Sequence, residues 1–209
     1  MPAERLHLVR HGEVHNPQRV LYGRLPNFRL SDDGRRMAAA AADHLRGLER
    51  PVTALYASPL QRAQESAQPF AEAFALGPVT EPRIIEPTNV FEGKRMRRAL
   101  LNPLNWRYLR APSRPSWGEP YLEVVARMDA AMRDAWNAVD DGDVVMVSHQ
   151  LPIWITHLSI GGLPLRHDPR ERRCALSSVT SFERDGSRWR EVSYAEPATT
   201  AGAIDVGAV

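Results

Sequence analysis

Residues 6 to 16 read LHLVRHGEVHN, setting His7, His11 and His15 at four-residue intervals with Glu13 between the last two. Two chemistries compete for that pattern. Three imidazoles and a carboxylate could ligate a metal, or one imidazole could act as a nucleophile among ordinary strand and loop residues. The zinc-protease pattern His-Glu-x-x-His needs both imidazoles on one helix face with the glutamate beside them. Here the order is His11-Gly12-Glu13-Val14-His15, with glycine inside the would-be turn and an apolar strand before it. The match is poor, and no metal site is expected.

An imidazole that attacks phosphorus makes different demands. Fixed cations must neutralise the phosphoryl oxygens, and an acid must protonate the leaving oxygen. Arginine suits the oxygens because its planar guanidinium stays charged and donates two parallel hydrogen bonds. Arg10 adjoins His11 after the apolar run LHLV, and Arg62 and His149 each come shortly after another apolar run. Each alone is weak, since surface arginines and isolated histidines usually mean solvation or packing. Four such groups at strand ends are harder to assign to chance.

The elements that must position them follow from periodicity. LHLV (6–9), TALYA (53–57) and VVMVS (144–148) are short apolar runs of the kind found in buried strands. RII (83–85) is read as a further short strand. Ser31 can cap a helix in which Met37, Ala41, Leu45 and Leu48 recur at helical spacing. In SPLQ, Ser58 is read as the N-cap, Pro59 as the first helical residue and Gln61 as the partner in a capping box. Ala63, Ala67, Phe70 and Phe74 form that helix's apolar face, with a kink expected at Pro69. Val125, Met128, Met132, Trp136 and Val139 mark another helix. Asp185-Gly186 separates two β-rich runs and predicts a hairpin. Beyond about residue 195 the chain reads as a tail over the surface. Alternating strands and helices predict an α/β fold with a mostly parallel sheet and helices on both faces. In such sheets the site lies beyond the strands' carboxyl ends.

Composition sets bounds. The 209 residues suit one domain, and 43% hydrophobic with 25% charged residues is ordinary for a globular chain. A net charge of +2 does not argue for nucleic acid but leaves room for a local basic pocket. The single cysteine, Cys174, excludes an internal disulfide and fits a reducing compartment. MPAERLHLVRHGE has no apolar stretch of the kind a secretory leader needs, so none is expected, and LPIWITHLSIGGLPL (151–165) is too short to span a bilayer and carries His157. A cytoplasmic protein is expected, with no membrane partner.

In this order, VRHGE with Asn16 downstream, SPLQRAQESA, a glutamate ahead of Glu92-Gly93 in IIEPTNVFEG, and VVMVSHQ resemble the histidine phosphatase superfamily. That group also contains the cofactor-dependent phosphoglycerate mutases. YGRLPNFRLSDDG is similar to the family's loop ahead of its first long helix, and the resemblance runs from Leu6 to Phe182. It implies a three-layer α/β/α sandwich of the phosphoglycerate mutase type. His11 would become the phosphohistidine, Arg10, Arg62 and His149 would bind the phosphoryl group, and Glu86 would donate the proton, with Glu92 its rival. Asn16 would contact the phosphoryl oxygens or the nearby loop. No cofactor or metal is implied, and the partner is a small anionic phosphorylated substrate.

Two departures stand out. Gln150 follows the second histidine where the family usually has glycine, and Asn16 sits one residue closer to His11 than in the mutase-like pattern, so His15 competes for its role. The stretch between Glu86 and His149 is compact for a mutase lid, which favours hydrolysis of a phosphomonoester. Mutase-type transfer is the alternative, and an inactive phospho-ligand binding protein a third reading. Lys94, Arg95, Arg97, Arg98, Arg107, Arg110 and Arg114, with Trp106, Tyr108 and Trp117 nearby, include no acid between them. They read either as a solvated face or as a substrate-selecting cap around 93–118, rather than a nucleic-acid surface. Oligomeric state stays open, a homodimer included.

Overall fold

The computed structural model describes residues 2–109, 117–198, 203 and 205. Arg110 and Arg114, the side chains of Arg97 and Arg107, and most of the tail beyond 198 lie outside the described residues.

The sheet is built around two strands whose side chains are almost all buried, β1 (Arg5–Arg10) and Asp143–Ser148. Taken in chain order the strands are β1, β2 (Val52–Ala57), β3 (Val79–Thr80), β4 (Asp143–Ser148), β5 (Val179–Asp185) and β6 (Arg188–Ala195). They lie side by side as β3-β2-β4-β1-β5-β6. The pairs β1–β4, β2–β4 and β2–β3 are parallel, while β5 runs antiparallel to β1 and β6 antiparallel to β5. Central parallel strands are covered on both faces, which is why β1 and β4 read as continuous apolar runs.

Side chains leave a strand alternately to its two faces. Leu6 and Leu8 of β1 with Val144 and Met146 of β4 join one core. Val9, Val145 and Val147 join the other. The second core is closed by α1 (Asp32–Arg46) and α2 (Gln61–Phe74), through Ala41, Leu45, Ala63, Ala67 and Phe70. A short α3 (Met96–Leu100) precedes the helices of the first face, α4 (Tyr121–Asn137) and α5 (Gln150–Ile160). Met128, Met132 and Trp136 from α4 meet Leu151, Ile153 and Ile155 from α5 there. The result is the expected α/β/α sandwich. Among the described residues no helix is long and apolar enough to cross a membrane.

Three local expectations are corrected. RII is not a strand: Pro82–Ile84 form a 3₁₀ turn, with the Glu81 side chain accepting from the Arg83 amide. Proline at its first position pre-sets a helical φ, and that outweighs the β-branched pair that follows. Ser58 is not the N-cap of α2; Leu60 takes that place without a side-chain cap, because the serine hydroxyl is engaged elsewhere. α5 carried no helical periodicity because it is buried nearly all round, from Leu151 to Leu158. Ser31, by contrast, caps α1 as expected, and α2 runs through Pro69.

The loop leaving β1 is pinned to the first turn of α1 by backbone-to-backbone contact. A Cβ on Gly12 would sit 2.2 Å from the Gly34 carbonyl oxygen, and one on Gly34 would sit 2.0 Å from that of Glu13. Ser31 ties the two segments, its amide donating to the Glu13 carbonyl at 2.9 Å and its hydroxyl to the Glu13 carboxylate at 2.5 Å. A methyl at Gly34 meets backbone that cannot rotate away. Gly34→Ala is therefore expected to lower unfolding free energy in urea by about 1–3 kcal/mol, as overpacking does. A change within about 0.5 kcal/mol, as at an indifferent surface position, would contradict the close approach.

Candidate active site

Register places the site. Arg10 at the end of β1 pairs with Ser148 at the end of β4, so His11 and His149 follow side by side at the carboxyl edge. The His11 amide donates to the Ser148 carbonyl at 3.1 Å, and the two imidazole centroids are 5.2 Å apart. Both rings are buried.

The tautomer of His11 follows from its partners. Its Nδ1 lies 2.7 Å from the Gly12 carbonyl oxygen, which only accepts, so Nδ1 carries the proton. Nε2 therefore holds the lone pair, and the Arg62 Nε–H donates to it at 3.2 Å. Burial first, then the Arg62 and Arg10 charges, hold His11 well below the ordinary imidazole range. The ring is neutral near neutral pH, with its unprotonated nitrogen facing a guanidinium. Gly12 is in turn anchored by its amide to the Ser66 hydroxyl at 3.1 Å, and that hydroxyl donates to the Arg62 carbonyl at 2.8 Å.

Arg62 is the second residue of α2, so its charge and the helix N-terminus share one end of the pocket. Its Nη2 donates to the Gly23 carbonyl at 2.8 Å, and its guanidinium lies 4.7 Å above the Tyr22 ring. Burial pulls its pKa down, and burial likewise pushes the Tyr22 phenol up to about 12. Arg10 is fully buried, its Nη1 donating to the Cys174 carbonyl at 2.6 Å. Its other partner is the Asp205 carboxylate, which meets Nη1 at 2.8 Å and Nη2 at 2.5 Å.

Glu86 reaches the pocket without a strand beneath it. The Ser148 hydroxyl donates to the Ile84 carbonyl at 2.7 Å, and Arg24 Nε donates to the Glu86 carbonyl at 2.5 Å. These bonds fix the backbone so that the carboxyl turns inward, 3.6 Å from His149 Nδ1. Burial raises its pKa against the pull of Arg62, Arg172, Arg10 and Arg127, which favours the protonated acid. Burial and neighbouring cations, Arg62 first among them, hold His149 well below its usual range, and its Nε2 bonds the Ser58 hydroxyl at 2.7 Å. Among the described residues Arg10 Nε, Glu86 Oε1 and His149 Nδ1 are buried without partners. Orphaned buried polar atoms are uncommon, and these three belong to residues gathered at one edge of the sheet.

The structure thus brings Arg10, His11, Arg62, Glu86 and His149 together. Asn16 holds its own loop, its amide donating to the Val20 carbonyl at 2.8 Å and its oxygen accepting from the Val20 amide at 3.2 Å. His15 is exposed. His7 points into the sheet, bonded to Ser181 at 2.8 Å and Asp143 at 3.2 Å. Glu92 spends one oxygen on the Arg24 and Asn89 amides. Ser58, Tyr22 and Asp205 were not foreseen here: Ser58 looked like a cap, and Asp205 lies in a tail without periodicity. Among the described residues no three His, Cys, Asp or Glu side chains gather in a metal-holding group.

A parallel-centred sandwich with a histidine and two arginines at its carboxyl edge defines a phosphoryl-handling class of α/β protein. The chain belongs to the histidine phosphatase superfamily (branch 1), whose family model matches residues 6–197. It is 50% identical over 202 residues to "Uncharacterized protein Rv0525" of Mycobacterium tuberculosis strain H37Rv, covering 95% of this chain and 99% of the relative. It is 29% identical over 182 residues to "Probable phosphoglycerate mutase GpmB" of Yersinia pestis, covering 83% of each chain. Among solved structures, a mycobacterial glucosyl-3-phosphoglycerate phosphatase superposes with a TM-score of 0.73 at 24% identity, covering 90% of this chain and 97% of that one. That last likeness shows the fold. The superfamily's phosphatases and mutases support an enzyme.

The buried imidazoles have a signature in solution. Both stay neutral in the folded protein while an unfolded chain takes up protons below about pH 6.5, so their contribution to stability falls as pH drops through that value. In ring-nitrogen NMR, the His11 and His149 signals should show no titration between pH 7 and 6 in the folded protein. A midpoint for His11 near the ordinary imidazole value would contradict the buried, arginine-flanked environment.

Proposed function

We propose that this protein hydrolyses a small phosphomonoester through a phosphohistidine on His11. The observation that carries the reading is the His11 Nε2 lone pair, unprotonated and held 3.2 Å from the Arg62 guanidinium in a buried pocket. In the first step Nε2 forms a bond to phosphorus as the ester P–O bond breaks in line, and Glu86 protonates the departing alkoxide. In the second, the Glu86 carboxylate takes a proton from water as the water oxygen attacks phosphorus. The N–P bond then breaks, and inorganic phosphate leaves. Arg10, Arg62 and His149 supply the positive and donor groups that a metal supplies in other phosphoryl-transfer sites.

Glu86 rather than Glu92 suits the acid role. Its Oε1 is buried and unpartnered, and burial raises its affinity for a proton, whereas Glu92 is committed to backbone amides. The loop that Asn16 holds leads to Leu21 and Tyr22, so its part is to position that wall of the pocket. Substrate choice falls to the described part of the basic stretch. There Tyr108 and Trp117 pack against the Leu21, Phe91 and Ala99 cluster, next to Tyr22. Arg95 donates to the Gln18 carbonyl at 2.8 Å, which ties this cap to the same loop.

His11→Ala should abolish both turnover of an aryl phosphate and acid-labile labelling by a phosphorylated substrate. Retained turnover would sink the mechanism. Glu86→Gln should slow turnover by about 10²–10⁴-fold for substrates with a poor leaving group and much less for an activated aryl phosphate. Exhaustive chelation should leave the rate unchanged. Phosphoryl transfer to a second alcohol is the alternative, and 3-phosphoglycerate offered with its bisphosphate separates the two: isomerised product means mutase, inorganic phosphate means hydrolase.

A further inference from the structure

Asp205 holds an unusual position for a residue of the tail. It lies ten residues beyond Ala195, the end of β6, yet its carboxylate grips both terminal nitrogens of the fully buried Arg10. A guanidinium receives a carboxylate and two phosphoryl oxygens through the same two-pronged fork. Among the described residues, Arg10 Nη1 also donates to the Cys174 carbonyl and Nε has no partner. The Asp205 side chain keeps 39% of its surface exposed, whereas Arg10 keeps none. One partner is locked in the protein, and the other can leave into water. A buried cation also needs a counter-charge when no substrate is present, and Asp205 supplies it.

We infer that the Asp205 carboxylate is an internal competitor for the Arg10 face of the pocket, which the phosphoryl group of a ligand must displace. The inference rests on the proposed reading, in which Arg10 receives phosphoryl oxygens. Because Asp205 belongs to the same chain as Arg10, its carboxylate competes at a high effective concentration. A phosphoryl dianion brings more charge to the guanidinium than one carboxylate does, so phosphate displaces the tail where a simple carboxylate gains little. Asp205 therefore has two opposed effects, stabilising the empty protein and weakening its hold on phosphate.

The test uses the full-length chain, its Asp205→Asn and Asp205→Ala variants, and Arg10→Lys. Binding of inorganic phosphate is measured by calorimetry and the ligand-free thermal midpoint by circular dichroism. If the tail occupies Arg10 nine-tenths of the time, both Asp205 variants bind phosphate about tenfold more tightly than wild type. Their ligand-free midpoints fall. Unchanged or weaker phosphate binding in both variants, with the same fall in midpoint, would make Asp205 a structural counter-ion only and overturn the inference. Phosphate binding that Arg10→Lys leaves intact would overturn the phosphoryl role of Arg10, and the competitor with it, whatever the Asp205 variants show.

Discussion

The structure turns on keeping two guanidinium groups charged at the carboxyl edge of a sheet where water is excluded. Arg10 and Arg62 both approach zero exposure; a backbone carbonyl receives each of them, and Arg10 also carries the Asp205 carboxylate. Isolated buried charge is expensive, and the surroundings are arranged to offset it. Carbonyls of Cys174 and Gly23, the face of Tyr22 and the carboxylates of Asp205 and Glu86 share the load. Burial, and after it the same cations, keeps both imidazoles neutral. A positive pocket and a neutral proposed nucleophile are thus one electrostatic fact.

That arrangement depends on the order of strands. Because β1 and β4 are adjacent and parallel, their last residues end at the same level, and the residues that follow meet without any long connection. The 3₁₀ turn at Pro82–Ile84 then delivers Glu86 from a third direction, tied to β4 by the Ser148 hydroxyl. Three segments remote in sequence converge through backbone and short polar side chains, which leaves little freedom for the groups they carry. The loop before α1 closes the remaining side, with Tyr22 under Arg62 and the Leu21, Phe91 and Ala99 cluster behind it.

Much of this was legible in the sequence. Strands β1 and β4 announce themselves because full burial on both faces demands unbroken apolar runs, and Asp185-Gly186 marks the β5–β6 hairpin. α5 did not, since a helix surrounded by core has no polar face to set its period. Ile84 and Ile85 looked like strand residues, but proline ahead of them decided the local geometry. Ser58 shows a deeper limit: a serine before Pro59 satisfies the rules for a cap, and only the fold reveals that its hydroxyl bonds His149 instead. Asp205 had no local signal at all, because its partner lies at the far end of the chain.

One consequence follows from the carbonyl of Gly12. The nitrogen of His11 that faces Arg62 is selected by a main-chain oxygen, not by the carboxylate side chain that orients histidine in many hydrolytic sites. Drift in sequence can readily delete a carboxylate, but every residue type at position 12 would still present a carbonyl. What evolution can vary there is only whether the backbone may approach Gly34 closely enough to aim it. Which nitrogen is left unprotonated is therefore set by the fold's own geometry rather than by a side chain that a single substitution could remove.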